Sequence, residues 1–275
     1  MARQSQPMSG ESGWPEAKSF YGLSTDQRDW SYQIAQMAAL YVDPVIMTTP
    51  ADPSVLESGS GFLLQLGART FLVTNSHVLS DGYEKILANY GTATFRFGER
   101  DFTPNIVARN SQEFVYLAVI DVKGIEFAKR PPGYWGSSVG SLTSYVPRSW
   151  PLADARKGES ICIVGWPQKF RKRKEDGVEY AAFPMGGQQV GDVTDNWFVI
   201  PFEREHWTSS DFDPTNPVVL EKTLGGISGS PVFALHRGIV PLELIGVVRT
   251  YGAEFDILYC TRASVIMADG RIQLK

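Results

Sequence analysis

Short apolar runs separated by turn residues dominate the chain from about residue 45 onward. They include PVIMTT, GFLLQL, TFLVTN, FVYLAVIDV, SICIVGW, NWFVIPF, PVFALH and LELIGVVRTYG. Runs of about five to eight residues at fairly regular intervals are typical of β-strands in a barrel or sandwich. No regular alternation with helical segments is present, which disfavours a parallel α/β sheet. The pattern therefore predicts an all-β fold.

The N-terminal part has a different pattern. Residues 1 to about 23 are polar and contain Gly and Pro, so we expect a flexible leader. In DQRDWSYQIAQMAALYV the apolar residues recur at helical spacing, with Ser24 or Thr25 as an N-cap and Pro44 after its end. We therefore assign residues 1–44 to a leader followed by an amphipathic helix.

Residues 45–275 then form the predicted β domain, with a Pro- and Gly-bearing connection between two lobes near residues 131–158. The formal net charge of −4 gives no global field that favours nucleic acid or an anionic membrane. No apolar run approaches the roughly 18 residues of a membrane-spanning helix, and the N-terminus lacks the apolar segment of a secretory signal. We therefore expect a cytoplasmic protein without membrane contact.

Two cysteines, Cys162 and Cys260, lie in the apolar contexts SICIVGW and ILYCTRA. Apolar surroundings favour reduced structural thiols over a disulfide. Two sulfurs and three histidines without close pairing do not suggest a zinc site, so we expect neither a metal nor a cofactor. The one concentrated basic run, KFRKRKED at residues 169–176, is better explained as the solvated tip of a hairpin than as a nucleic-acid contact.

The most specific string is Gly226-Ile-Ser-Gly-Ser-Pro231, which precedes an apolar strand. Glycines that flank a serine allow a tight turn in which consecutive N–H groups point into one cavity. Ser228 Oγ would attack a carbonyl group there, while the N–H groups of Gly226 and Ser228 would receive the oxyanion. An ordinary Gly/Ser turn between two strands is the alternative interpretation.

A nucleophilic serine needs a base. His77 stands at the end of the predicted strand in FLVTNSHVL, after a preceding strand that opens with GSGF at residues 59–62. His206 in FEREHW and His236 in ALHRG have no comparable context, so we assign them surface or packing roles.

The strings GSGF, TNSHV and GISGSP, in this order, resemble those of the trypsin-like (chymotrypsin-fold) serine peptidases, and most closely the bacterial HtrA-type domains. The resemblance covers about residues 45–260. It implies two six-stranded antiparallel β-barrels with the site between them, His77 as the general base, Ser228 as the nucleophile, and a protein or peptide substrate. By the same resemblance, Lys222 and Arg249 lie near the specificity pocket, where they would favour an acidic side chain or point to solvent.

The chain departs from the family at the acid. The family places an aspartate just before a strand that reads Leu-Ala-Val, and this chain has Tyr116 there. Glu113, Tyr116 itself, a backbone acceptor or an acid from elsewhere in the chain would then orient His77. Asp121 is not expected to substitute directly, because it lies roughly 16 Å further along an extended strand. Two hypotheses remain: a serine endopeptidase that uses Ser228 and His77, or a catalytically weakened module that binds peptides or proteins. A β-barrel that binds nucleic acid through residues 169–174 is a poorer third.

Overall fold

The computed structural model describes residues 34, 37–112, 114–127, 143–168, 172–174, 177–179, 183–202, 224–235 and 242–275. Of the predicted N-terminal helix, Ile34 and residues 37–39 are described and helical, and Ala38 is buried. The predicted leader, the rest of that helix, and part of the basic run lie outside the described residues. The same is true of residues 131–142 of the predicted connection.

The first sheet contains seven strands within the described ranges, and all of its neighbouring strands are antiparallel. The strands are β1 (Val42–Thr48), β2 (Leu56–Leu66), β3 (Arg69–Thr74), β4 (Thr94–Phe97), β5 (Arg100–Phe102), β6 (Asn105–Gln112) and β7 (Val115–Asp121). Their spatial order is β5-β4-β1-β2-β3-β7-β6. Between β3 and β4 the chain forms a π-helical segment, Val78–Glu84, and a short helix α1, Lys85–Tyr90.

The second sheet contains six antiparallel strands in the part of the chain that is described. They are β8 (Ser160–Gly165), β11 (Phe183–Gln189), β12 (Trp197–Pro201), β13 (Pro231–Leu235), β14 (Leu242–Gly252) and β15 (Ile257–Arg262), in the order β11-β8-β13-β14-β15-β12. Strands β9 (Lys172–Lys174) and β10 (Gly177–Glu179) form the hairpin predicted for the basic run. A 3-10 turn, Ala263–Val265, follows β15.

Each sheet has its own apolar core, and a further apolar cluster lies between the two sheets. In the first core, Met47 and Phe95 are almost fully buried; in the second, Ile163 and Phe198 are. The cluster between the sheets joins side chains of β2 and β3 to side chains of β8 and β13, among them Phe62, Phe71, Val164 and Phe233. Burial of this much apolar surface makes the contact between the lobes part of the folded core.

These observations confirm the predicted all-β fold with two antiparallel lobes. The first sheet has one strand more than the six predicted, because Arg100–Phe102 doubles back on β4 as a short edge strand. Cys162 and Cys260 are free and buried, as expected, and burial raises the pKa of the Cys162 thiol to about 12. No helix among the described residues has the length and apolar character needed to cross a membrane.

Tyr145, within the predicted connection, binds both lobes. Its backbone N–H donates to the carbonyl of Leu63 at 2.8 Å, and its hydroxyl accepts a hydrogen bond from the backbone N–H of Leu244 at 3.0 Å. Its ring also packs against Phe233 with the centroids 5.4 Å apart. The described part of the connection therefore fixes one lobe against the other.

Candidate functional site

The position of His77 is fixed by its neighbour Asn75, which is fully buried just after β3. The Asn75 side-chain oxygen accepts a hydrogen bond from the backbone N–H of His77 at 3.2 Å. The Asn75 side-chain nitrogen donates to the carbonyls of Arg249 and Val248, at 3.0 and 3.4 Å, in β14 of the second lobe. One buried amide thus ties the backbone of His77 to the opposite lobe.

The turn that carries Ser228 needs glycine on both sides of the serine. Gly226 has φ +96° and Gly229 has φ +92°, in a region that L side chains rarely adopt. A Cβ atom on Gly226 would lie 2.5 Å from the carbonyl oxygen of Trp166, and one on Gly229 would lie 2.0 Å from that of Ser60. The prediction of a tight turn at GISGSP is therefore confirmed.

Ser60 of β2 attaches this turn to the first lobe. Its backbone N–H donates to the carbonyl of Ser228 at 2.8 Å, and its hydroxyl donates to the carbonyl of Gly226 at the same distance. The hydroxyl also accepts from the backbone N–H of Trp166 at 3.0 Å, and Thr74 Oγ1 donates to the Ser60 carbonyl at 2.7 Å. The GSGF string thus supplies the residue that joins the serine turn to the first lobe.

His77 and Ser228 line the same cavity of about 340 Å³, one from each lobe. Within the described chain, the hydrogen bonds of His77 involve its backbone, and none joins its imidazole to the Ser228 hydroxyl. The backbone N–H groups of Gly226 and Ser228 have no acceptor among the described residues, whereas those of Gly229 and Ser230 donate to carbonyls. The residues that line the cavity therefore include a serine, a histidine and two amide donors that have no acceptor in the described chain.

The imidazole of His77 favours its neutral form. Burial is the largest cause and lowers its pKa below the ordinary value. Asp81 in the following helical segment raises this pKa, and Arg249 lowers it. A histidine that is neutral near pH 7 has a free nitrogen that can accept a proton from a serine.

Tyr116, at the position where the resembled family has its acid, contacts a cation. The Arg249 guanidinium lies 4.5 Å from the centre of the Tyr116 ring, 4.8 Å from that of Phe114 and 5.8 Å from that of Tyr259. These distances are within the range of cation–π interactions. Glu113, the other candidate for orienting His77, lies outside the described residues, as do Lys222, His206 and His236.

Several residues at the site were not predicted from the sequence. Asn75 lies inside the TNSHV string, which was the available signal for it, but its contacts to the second lobe depend on the tertiary fold. Gln168 lines the cavity; its side-chain amide donates to the Ser58 carbonyl at 3.2 Å and its backbone N–H donates to the Gly225 carbonyl at 2.7 Å. In the described part of the chain, no cluster of three or more His, Cys, Asp or Glu side chains is placed to hold a metal ion.

Two antiparallel lobes with separate cores meet at a cavity, with a histidine from one lobe and a glycine-flanked serine from the other. This is the arrangement that the resemblance to the chymotrypsin-fold peptidases predicts.

Comparison with known proteins finds similar solved structures at low sequence identity. No family model and no curated protein matches the chain. Among solved structures, the active form of the Rv3671c protease from M. tuberculosis matches over 95% of this chain and 90% of its own, with 14% identity and a TM-score of 0.46. A serine endoprotease from Yersinia pestis matches over 85% of this chain and 62% of its own, with 14% identity and a TM-score of 0.48. A Glu endopeptidase matches over 80% of this chain and 84% of its own, with 15% identity and a TM-score of 0.43.

Proposed function

We propose that the chain is a serine endopeptidase in which Ser228 is the nucleophile and His77 the general base. The observation that supports this best is the shared cavity, where the two side chains come from opposite lobes beside the free N–H groups of Gly226 and Ser228. A nucleophile, a base and paired oxyanion donors are the groups that acyl transfer requires.

In this proposal, Ser228 Oγ attacks the carbonyl carbon of a peptide bond while its proton passes to the His77 imidazole. The carbonyl oxygen becomes an oxyanion that accepts hydrogen bonds from the N–H groups of Gly226 and Ser228. His77 then gives its proton to the leaving amine, and an acyl ester remains on Ser228. Water, deprotonated by His77, hydrolyses this ester and restores the serine.

A second candidate function has its own supporting observation. Arg249 lies 4.5 Å from the centre of the ring of Tyr116, the residue that stands at the acid position of the resembled family. Without that acid the same cavity would hold a peptide without turning it over, as expected for a weakened module that binds peptides or proteins. The two functions share the ligand class and differ in whether Ser228 is activated.

Labelling with a fluorophosphonate probe separates the two candidates, since the probe reacts with an activated serine and does not depend on the substrate. We expect the wild type to be labelled and Ser228→Ala to be unreactive. The control is Ser58→Ala, because Ser58 lines the same cavity and its buried hydroxyl has no partner in the described chain. Equal labelling of the wild type and Ser228→Ala would refute the assignment of the nucleophile. A wild type that binds peptides but is never labelled would favour the binding module.

A further inference from the structure

The segment 166–168, which follows β8, lies along the turn that carries Ser228. A Cβ atom on Gly226 would lie 2.5 Å from the Trp166 carbonyl oxygen and 2.6 Å from the backbone nitrogen of Gln168. The two stretches of backbone are therefore in direct contact, with no side chain between them. A displacement of segment 166–168 would change the space that is available to the turn.

This segment holds the peptide bond between Gly225 and Gly226. The Gln168 backbone N–H donates to the Gly225 carbonyl at 2.7 Å, and within the described ranges no other group donates to this carbonyl. The peptide is trans, so its N–H points in the direction opposite to its carbonyl. The Gly226 N–H, one of the two proposed oxyanion donors, is therefore directed away from the backbone nitrogen of Gln168.

Glycine on both sides leaves the orientation of this peptide to its hydrogen bond. Turning the peptide over would change ψ of Gly225 and φ of Gly226 by about half a turn, which would move Gly226 from φ +96° to a negative value. Glycine adopts positive and negative φ about equally readily. The backbone preference of Gly226 therefore does not choose between the two orientations, whereas the hydrogen bond from Gln168 favours the one observed.

The other proposed donor, the Ser228 N–H, is fixed inside the turn. The carbonyl of its peptide belongs to Ile227 and accepts a hydrogen bond from the backbone N–H of Ser230 at 3.0 Å. Of the two donor peptides, the one that precedes Gly226 is thus held by a residue outside the GISGSP string.

The Gln168 side chain anchors the segment to the first lobe. Its amide nitrogen donates to the Ser58 carbonyl of β2 at 3.2 Å. Its Cγ atom would lie 3.2 Å from a Cβ atom on Gly226, so the side chain also packs against the turn. Gln168 therefore contacts the first lobe through its side chain and the serine turn through its backbone.

We propose that Gln168 is a positioning residue for the oxyanion. Its side-chain amide keeps segment 166–168 against β2, and its backbone N–H keeps the Gly225–Gly226 peptide turned so that the Gly226 N–H can donate to the carbonyl oxygen of the substrate. This inference rests on the proposed function. Gln168 acts through Gly226, so its contribution arises in the transition state, where the carbonyl oxygen becomes an oxyanion.

The test measures hydrolysis of p-nitrophenyl acetate by the wild type, Gln168→Met and Gln65→Met, with the rate of Ser228→Ala subtracted as background. Methionine keeps the length of the side chain and removes its donor. Gln65 is the matched control, because its amide also donates to a backbone carbonyl, that of Gly67 at 3.3 Å, at an exposed turn. We expect Gln168→Met to lower kcat about three- to tenfold with KM within about twofold, and Gln65→Met to match the wild type.

A double-mutant cycle with Gly226→Ala separates positioning from a general structural role. Gly226→Ala already displaces the donor, so the addition of Gln168→Met should then change kcat by less than about twofold. A role for Gln168 that is only structural would lower kcat by the same factor in both backgrounds. Thermal unfolding shows whether each variant remains folded, and titration with the fluorophosphonate probe expresses kcat per reactive serine.

The inference fails if folded Gln168→Met hydrolyses the ester as fast as Gln65→Met. It also fails if Gln168→Met raises KM without lowering kcat, because Gln168 would then bind the substrate and not position the donor. An equal effect of Gln168→Met in the Gly226→Ala background would overturn it too. In each case, Ser228-dependent labelling of the wild type would leave the proposed function intact. If the wild type is neither labelled nor active against the ester, the proposed function and this inference both fail.

Discussion

Gly226→Ala is the substitution whose cost is best defined by the structure. Gly226 has φ +96°, and an added Cβ would lie 2.5 Å from the Trp166 carbonyl oxygen and 2.6 Å from the backbone nitrogen of Gln168. The unfavourable backbone conformation costs about 1–2 kcal/mol, and forcing an extra methyl group into a packed site adds about 1–3 kcal/mol. We therefore expect the free energy of unfolding to fall by about 2–5 kcal/mol.

Gly158→Ala is the matched control for the backbone conformation. Gly158 has φ +80°, and an added Cβ would meet nothing within 4 Å. It should therefore show only the conformational cost, about 1–2 kcal/mol. Urea denaturation followed by circular dichroism measures both losses.

Gly226→Ala should also affect reactivity, because relief of the clash moves the backbone of a residue that lines the cavity. Loss of one oxyanion donor typically lowers turnover by about 10²–10³-fold, so labelling of Ser228 should fall steeply in the fraction that remains folded. Gly158→Ala should label at the wild-type rate. Equal destabilisation by the two substitutions, with equal labelling, would refute the argument that close approach at Gly226 shapes the site.

Three other outcomes are expected. Because burial lowers the pKa of His77, the unfolded chain takes up a proton below about pH 6.5 that the folded chain does not. The free energy of unfolding should therefore decrease as the pH falls through this window. Urea titrations at several pH values should show this dependence in the wild type and not in His77→Gln. Asn75→Ala should cost about 1–3 kcal/mol, since it leaves buried partners unpaired, and Asn110→Ala, at a more exposed position in β6, should cost less in the same assay. Cys162 and Cys260 should not react with a thiol reagent in the native protein and should react fully in denaturant, because burial raises both pKa values; rapid native labelling would contradict their placement.

The fold class could be predicted because strand formation leaves a local signal in the sequence. Apolar runs bounded by turn residues identify strands such as Arg69–Thr74 and Pro231–Leu235, and a serine between two glycines predicts a turn with positive φ. The sequence could also indicate that Tyr116 interrupts the family pattern. These features depend on residues close together in the chain.

What occupies the space beside Tyr116 could not be predicted in the same way. Arg249 is 133 positions away in the sequence, in another lobe, and it reaches Tyr116 from a bulge that apolar alternation does not reveal. The contacts of Asn75 with Val248 and Arg249 are of the same kind. Long-range register sets both, and register is a property of the assembled sheets.

The hydrogen bonds of Ser60 have a consequence for how the serine turn opens. The hydrogen bond from the Ser60 N–H to the Ser228 carbonyl joins one lobe to the other. It can therefore break only when the lobes separate. Amide hydrogen exchange at Ser60 should therefore be as slow as at the most protected core amides, and should follow global unfolding. A fragment that contains only the second lobe would include the complete GISGSP string, but would lack the partner that holds its turn. The conformation of the turn that carries Ser228 therefore depends on residues of both lobes.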